Sequence, residues 1–251
     1  MLLYHPLLFT NHPFTLTSST ILSLPLAIIV TLPPTICIHP PLVSTTLHAD
    51  HYQRRDLNMP ESLPDRSGAP HSFYKDCPLT QVGLLQASLV GRAMHASGIE
   101  VHHVFCSPSL RCVQTCTNIL RGLGIAEHMP INIEPGLFEW LAWYHDGMPV
   151  WMTLDELSAA GFNLNHSYDP LICREELKDT HESCEQYYGR NAYVTQSIIN
   201  TTQAQGVCVC LYMYKEKDMN LIVYGICVKF VLSYIHIILY VSLEVIDVSS
   251  C

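Results

Sequence analysis

The chain has 251 residues, of which 49% are hydrophobic and only 14% are charged, and its formal net charge is -9 at pH 7. With 13 lysines and arginines it lacks the basic face that displaces counterions from a phosphate backbone, which argues against a nucleic-acid-binding protein. The 11 cysteines show no paired zinc-ligand spacing, so we expect no metal site and predict the reduced thiols of a cytoplasmic protein.

Residues 1–49 form an apolar leader that prolines interrupt and that contains no Lys, Arg, Asp or Glu. A membrane-spanning helix needs about 20 unbroken apolar residues, and a signal peptide needs a basic N-terminal region. The leader has neither property. We therefore expect it to lie outside the fold, either as non-native sequence from a wrong start site or as a poor membrane anchor.

Residues 50–206 have the composition of an ordinary globular protein and begin with a loop rich in Pro and Gly, which extends to residue 78. A helix is predicted to begin after Thr80, a favourable N-cap, and to end before Gly98. Its apolar face is predicted from residues at helical spacing. These are Val82, Leu85, Leu89 and Ala93.

Strands and helices are predicted to alternate through the rest of this region. The predicted strands are Val101–Cys106 and Ile131–Ile133. One helix is predicted to end near Gly122 and Gly124, and a longer one to run from about Glu182 to Ile199. Such alternation indicates an α/β protein with a largely parallel sheet.

Residues 207–251 form a divergent apolar tail. Val207–Met213 is predicted as a strand, and 221–241 is long enough to span a bilayer. Lys229 lies near the centre of that stretch, where a lysine costs about 2.5–3.5 kcal/mol on insertion. The tail therefore leaves a membrane-associated protein as the alternative to a cytoplasmic one.

The segment Phe105–Thr115 follows a predicted strand and opens a helix. Ligands bind at this end of the strands in α/β sheets, and a helix N-terminus offers free N–H groups to an anion. Arg111 lies in the first turn, where a guanidinium can bind phosphate oxygens in bidentate fashion. The alternative is an arginine that pairs with a local carboxylate.

The pattern S-x-S-x-R-x-x-Q-T in Ser107–Thr115 resembles the second signature of the histidine phosphatase superfamily. The string from Val104 to Thr115 further resembles the phosphatase domain of the TULA/Sts proteins (ubiquitin-associated and Src-homology-three domain proteins). Other strings in the same order support this resemblance. They are Asp56–Gly68, Pro78–Gly91 and Glu134–Trp140, and Asn118–Leu120 continues the string that ends at Thr115. The resemblance implies a three-layer α/β/α sandwich of the phosphoglycerate-mutase-like type, here incomplete at both ends.

The resemblance also implies roles for particular residues. Arg111 matches the arginine that holds the substrate phosphate, and Glu139 matches the acid that protonates the leaving oxygen. Ser107 and Ser109 are candidates for lining the phosphate pocket, with helix capping as the alternative role. The family implies phosphotyrosine-bearing protein substrates, no cofactor and a homodimer.

The family acts through a phosphohistidine, whose histidine stands in an Arg-His-Gly motif, yet no arginine of this chain is followed by histidine. Where a second histidine is expected after a late strand, Tyr224 and Gly225 stand instead. We therefore expect a protein tyrosine phosphatase domain that is a fragment or inactive. The alternatives are a non-catalytic pseudo-phosphatase that binds phosphate and a membrane-anchored scaffold.

Overall fold

A sheet with helices on both of its faces organises the protein. The computed structural model describes residues 52–177 and 181–202, and the backbone of the segments 208–215, 222–229 and 236–241. The leader predicted for residues 1–49 lies outside the described residues. The helices are α1 (Gln81–Ala96), α2 (Leu110–Leu123), α3 (Leu154–Ala159) and α4 (Cys184–Thr202). The strands are β1 (His103–Cys106), β2 (Asn132–Ile133), β3 (Cys208–Lys215), β4 (Ile222–Lys229) and β5 (His236–Val241).

The predicted ends of the first two helices are confirmed. The Thr80 hydroxyl accepts a hydrogen bond from the Gly83 backbone N–H at 3.1 Å, which satisfies one of the free donors at the start of α1. Gly98 follows α1 with a φ of +67°, and Gly124 ends α2 with a φ of +79°. Both glycines adopt the left-handed conformation that terminates helices.

The apolar face predicted for α1 is wrong. Val82, Leu85 and Leu89 are 41%, 57% and 50% exposed, and Ala93 is exposed as well. The opposite face is buried instead. Its residues are Gly83, Ala87, Val90, Gly91 and Met94.

The reason lies in the close approach of α1 to α2. A Cβ atom placed on Gly91 would lie 2.0 Å from the Ile119 carbonyl oxygen, and one on Gly122 would lie 2.2 Å from the Ser88 carbonyl oxygen. Two backbones this close exclude large side chains from the contact. The small residues therefore face α2, and the leucines point outward.

Strand β1 separates two hydrophobic layers. Val104 and Cys106 are buried in the core that α1 and α2 share. Phe105, between them in sequence, packs in a second core with Val194 and Ile198 of α4. Because successive side chains of a strand point to opposite faces, helices cover both faces of the sheet. The three-layer α/β/α arrangement is thus confirmed.

The sheet is mixed rather than largely parallel. Its strand order is β2-β1-β3-β4-β5, with β1 parallel to both β2 and β3. The pairs β3–β4 and β4–β5 are antiparallel. A parallel return needs a crossover of about a dozen residues or more, and the connections at 216–221 and 230–235 are shorter. The tail strands therefore pair with their sequence neighbours in antiparallel fashion.

The stretch 221–241, considered above as a membrane span, contains the strands β4 and β5. Among the residues that the structure describes, no helix has the length and apolar character needed to cross a bilayer.

Candidate functional site

The candidate site begins at the turn between β1 and α2. Strand β1 ends at Cys106, and Ser109 is the extended N-cap residue of α2. Ser107 and Ser109 are both 1% exposed. The Ser109 hydroxyl makes no capping hydrogen bond, so the capping role considered for it is not observed.

Asp76 supplies the missing cap from outside the helix. Its Oδ1 accepts a hydrogen bond from the Leu110 backbone N–H at 2.8 Å, and its Oδ2 accepts one from Arg66 Nη1 at 3.1 Å. The carboxylate is fully buried, and burial raises the pKa of Asp76, while the Leu110 N–H and the cations Arg111 and Arg66 oppose that rise. This buried group fixes the start of α2. Sequence reasoning missed it, because it lies 34 residues before its partner.

The glutamine of the signature also has a structural partner. Gln114 Oε1 accepts a hydrogen bond from the Leu79 backbone N–H at 2.6 Å, which ties α2 to the chain just before α1. The Thr115 hydroxyl donates to the Arg111 carbonyl oxygen within the helix at 2.8 Å. The signature residues therefore hold the helix that carries Arg111.

Arg111 is buried in the first turn of α2, at 5% exposure, and its Nη2 donates to Glu139 Oε1. Burial lowers the pKa of Arg111, but the Glu139 carboxylate, with Tyr144, outweighs it and holds that pKa well above its usual value. The guanidinium is thus a fixed positive charge at the helix N-terminus. The carboxylate that pairs with Arg111 belongs to Glu139, the residue predicted as the acid. Arg111 therefore pairs with a carboxylate, as one interpretation predicted, and that carboxylate belongs to the phosphate site that the other interpretation predicted.

Glu139 lies between two short 3-10 helices, Pro135–Leu137 and Leu141–Tyr144, in a segment that we call the acid loop (residues 134–144). It is 6% exposed, and the Tyr144 hydroxyl donates to the same Oε1 that Arg111 contacts. Burial, and then the neighbouring Glu139 carboxylate, raise the pKa of Tyr144 above its usual value, so it stays a donor. Sequence reasoning missed Tyr144, since a spacing of five residues in an irregular segment carries no pattern.

Glu134 holds the beginning of the acid loop and is fully buried. Its Oε1 accepts from the backbone N–H groups of Gly136 at 2.8 Å and Ile172 at 3.2 Å. Its Oε2 accepts from the Leu171 backbone N–H and the Tyr168 hydroxyl, each at 2.7 Å. Four donors occupy this carboxylate, so its role is to shape the loop.

Arg190 of α4 holds the middle of the acid loop. Its Nη1 donates to the carbonyl oxygens of Gly136 at 2.7 Å and Phe138 at 2.8 Å. Its Nε and Nη2 donate to Glu182 Oε1 and Oε2 at 2.8 and 2.9 Å. Sequence reasoning missed the contact of Arg190 with the acid loop, because Arg190 lies 52 residues beyond Phe138.

The thiols beside the site are not nucleophiles. Burial raises the pKa of Cys106 well above its usual value and that of Cys112 to about 11. Both side chains are fully buried in the core under the turn. Among the described residues, no cluster of His, Cys, Asp and Glu is arranged to hold a metal ion.

The chain is similar to known proteins over much of its length. Residues 66–212 match the profile of the histidine phosphatase superfamily (branch 1). The ecdysteroid-phosphate phosphatase of Drosophila melanogaster is 45% identical over 153 residues, which cover 61% of this chain and 20% of that protein. The ubiquitin-associated and SH3 domain-containing protein B of Mus musculus is 45% identical over 156 residues, 62% of this chain and 24% of that protein. The chain thus spans about a fifth to a quarter of the length of these relatives.

A solved structure shows the same fold. The crystal structure of the ecdysone phosphate phosphatase of the silkworm Bombyx mori, in complex with tungstate, aligns with a TM-score of 0.61 and 35% identity. The alignment covers 68% of this chain and 64% of that chain. The profile match spans more than half of the sequence and includes both Arg111 and Glu139. On this evidence the chain belongs to the histidine phosphatase superfamily, with homologues among the ubiquitin-associated and SH3 domain-containing proteins and the ecdysteroid-phosphate phosphatases.

Proposed function

We propose that this chain binds phosphate monoesters at Arg111 and does not hydrolyse them. The observation that carries the proposal is the buried, charged guanidinium of Arg111 at the N-terminus of α2, next to the carboxylate of Glu139. A helix N-terminus and a guanidinium both favour an oxyanion. Tungstate, the ligand in the Bombyx mori structure, is a tetrahedral oxyanion like phosphate.

The lack of turnover follows from the residues that this mechanism needs. In the family that the chain resembles, a histidine after an arginine attacks phosphorus, and no arginine of this sequence precedes a histidine. Arg111 can hold the phosphate, and Glu139, in its protonated form, can donate a proton to the leaving oxygen, but neither side chain replaces the nucleophile. This chain therefore keeps the binding and acid components of a phosphatase site.

The proposed ligands are phosphotyrosine side chains of proteins. The proposed location of the chain is the cytoplasm, and its proposed assembly is a homodimer. A steroid phosphate is the other ligand that the relatives' names suggest. Both ligands carry the same phosphate monoester group. The affinity of the protein for a phosphotyrosine peptide, compared with its affinity for a steroid phosphate, distinguishes them.

Glu139 sets the affinity for any such ligand. Its carboxylate already occupies Arg111, so an incoming dianion meets a like charge. Replacing Glu139 by Gln removes that charge and keeps the shape. We expect the dissociation constant for tungstate in Glu139→Gln to fall about tenfold, which equals about 1.4 kcal/mol. Arg111→Lys, which loses the bidentate fork, should weaken binding about tenfold to a hundredfold.

Isothermal titration with tungstate, inorganic phosphate, a phosphotyrosine peptide and an ecdysteroid phosphate measures these changes. The control is Arg92→Lys, a matched change at an exposed arginine of α1, which should leave all affinities unchanged. A native chain that binds none of the four ligands contradicts the proposal. Release of phosphate that depends on Glu139 would show instead that the chain is an active phosphatase.

A further inference from the structure

We propose that Arg190, held by Glu182, is a positioning residue that keeps Glu139 in contact with Arg111 and thereby sets the oxyanion affinity of the site. The inference rests on the proposed function, because it concerns the binding of an oxyanion at Arg111. It assigns a role to Arg190 of α4 and to Glu182, two residues before that helix begins, neither of which contributes a group to the site itself.

The donors of Arg190 are fully used. A guanidinium has five N–H groups in a rigid, planar fork. Two go to the Gly136 and Phe138 carbonyl oxygens, one goes to the Glu139 carbonyl oxygen at 3.3 Å, and two go to the Glu182 carboxylate. Three backbone carbonyl oxygens of the acid loop thus accept hydrogen bonds from one side chain, which is 8% exposed.

Glu182 holds the other side of Glu139. Its Oε2 accepts a hydrogen bond from the Leu141 backbone N–H at 3.0 Å. The Trp140 indole N–H donates to the Glu182 carbonyl oxygen at 2.7 Å. The pair Arg190–Glu182 therefore binds the chain immediately before and immediately after Glu139, in a buried environment where such contacts are strong.

This arrangement has a consequence for ligands. The backbone of Glu139 is fixed, so its side chain stays on Arg111 and competes with an oxyanion for the guanidinium. Lysine at position 190 keeps the positive charge but offers three donors from one atom and cannot reproduce the planar fork. With Arg190→Lys, Glu139 gains freedom to leave Arg111, and the site should bind oxyanions more tightly.

The test compares Arg190→Lys, Glu182→Gln and Glu139→Gln, singly and combined, by tungstate titration. We expect each of the first two to bind tungstate several-fold more tightly than the native chain. In the Glu139→Gln background neither should add a further gain, because both act through Glu139. A merely structural role predicts lower stability with unchanged or weaker binding, so a gain in affinity separates the two cases.

Hydrogen exchange measured by mass spectrometry gives a readout that needs no ligand. Arg190→Lys should speed the exchange of amides 136–141 and leave those of α1 unchanged. Unchanged exchange there, or an affinity gain that persists in the Glu139→Gln background, would overturn the inference. If Arg190→Lys does not fold, the same measurements on Glu182→Gln decide whether the inference holds. That substitution preserves the size of the side chain and an acceptor for the Leu141 N–H. If the native chain binds no tungstate, the proposed function fails, and the exchange data alone decide whether Arg190 holds the loop.

Discussion

The two halves of the candidate site are built in different ways. Arg111 belongs to a regular helix, which the β1 strand, the Asp76 cap and the packing of α1 against α2 hold in place. Glu139 belongs to an irregular loop, which the buried side chains of Glu134, Glu182 and Arg190 hold by hydrogen bonds. The arginine side therefore depends mainly on helix packing, with the buried Asp76 carboxylate as its cap. The acid side depends mainly on polar side chains, and removing any of them leaves buried hydrogen-bonding groups without partners.

The largest effect should come from Glu134→Ala on the acid side. The substitution leaves four buried or part-buried donors without their acceptor, and each such group costs about 1–3 kcal/mol. We expect the free energy of unfolding to fall by at least about 3 kcal/mol in urea titrations. Glu100→Ala, at an exposed position, serves as the control and should change it by less than about 0.5 kcal/mol. A loss no larger than the control's would mean that the acid loop does not depend on its polar network.

An intermediate effect should follow from Gly91→Ala on the arginine side. The new methyl group would collide with the Ile119 carbonyl and force α1 and α2 apart, at a cost of about 1–3 kcal/mol. The matched control is Gly189→Ala in α4, where nothing apart from the adjacent residues and the helix's own backbone lies within 4 Å of the added Cβ. Both variants gain the same helix propensity, so Gly189→Ala should be neutral or stabilising. Equal unfolding free energies for the two variants would rule out the tight contact.

The smallest effect should come from Thr80→Ala, which removes the cap of α1. One backbone donor loses its partner, and such a loss costs about 1 kcal/mol. Thr80→Ser keeps the hydroxyl and should restore most of the stability. The same urea titrations measure both variants. If Thr80→Ala cost as much as Glu134→Ala, the two sides of the site would not differ in how they are held.

Features with local signals were predictable from the sequence. Thr80, Gly98 and Gly124 mark helix ends, and the strand-loop-helix around Arg111 follows from short patterns. The face of α1 was not, because hydrophobic spacing favoured the leucines, while the approach of a second helix at Gly91 decided the outcome. The residues Asp76, Glu182 and Arg190 were missed for a similar reason, since they reach the site from distant parts of the chain. The division of the chain at residues 49 and 206 stays a prediction.

The burial of Cys112 next to Arg111 has a practical meaning for handling this protein. Thiolates, not thiols, react with peroxide and alkylating reagents, and a buried thiol with a pKa of about 11 is almost entirely protonated at neutral pH. The turn between β1 and α2 therefore takes no part in redox chemistry, although a cysteine directly follows Arg111. Oxyanion affinity measured with and without a reducing agent should be the same, and iodoacetamide should leave the turn unlabelled in the folded protein.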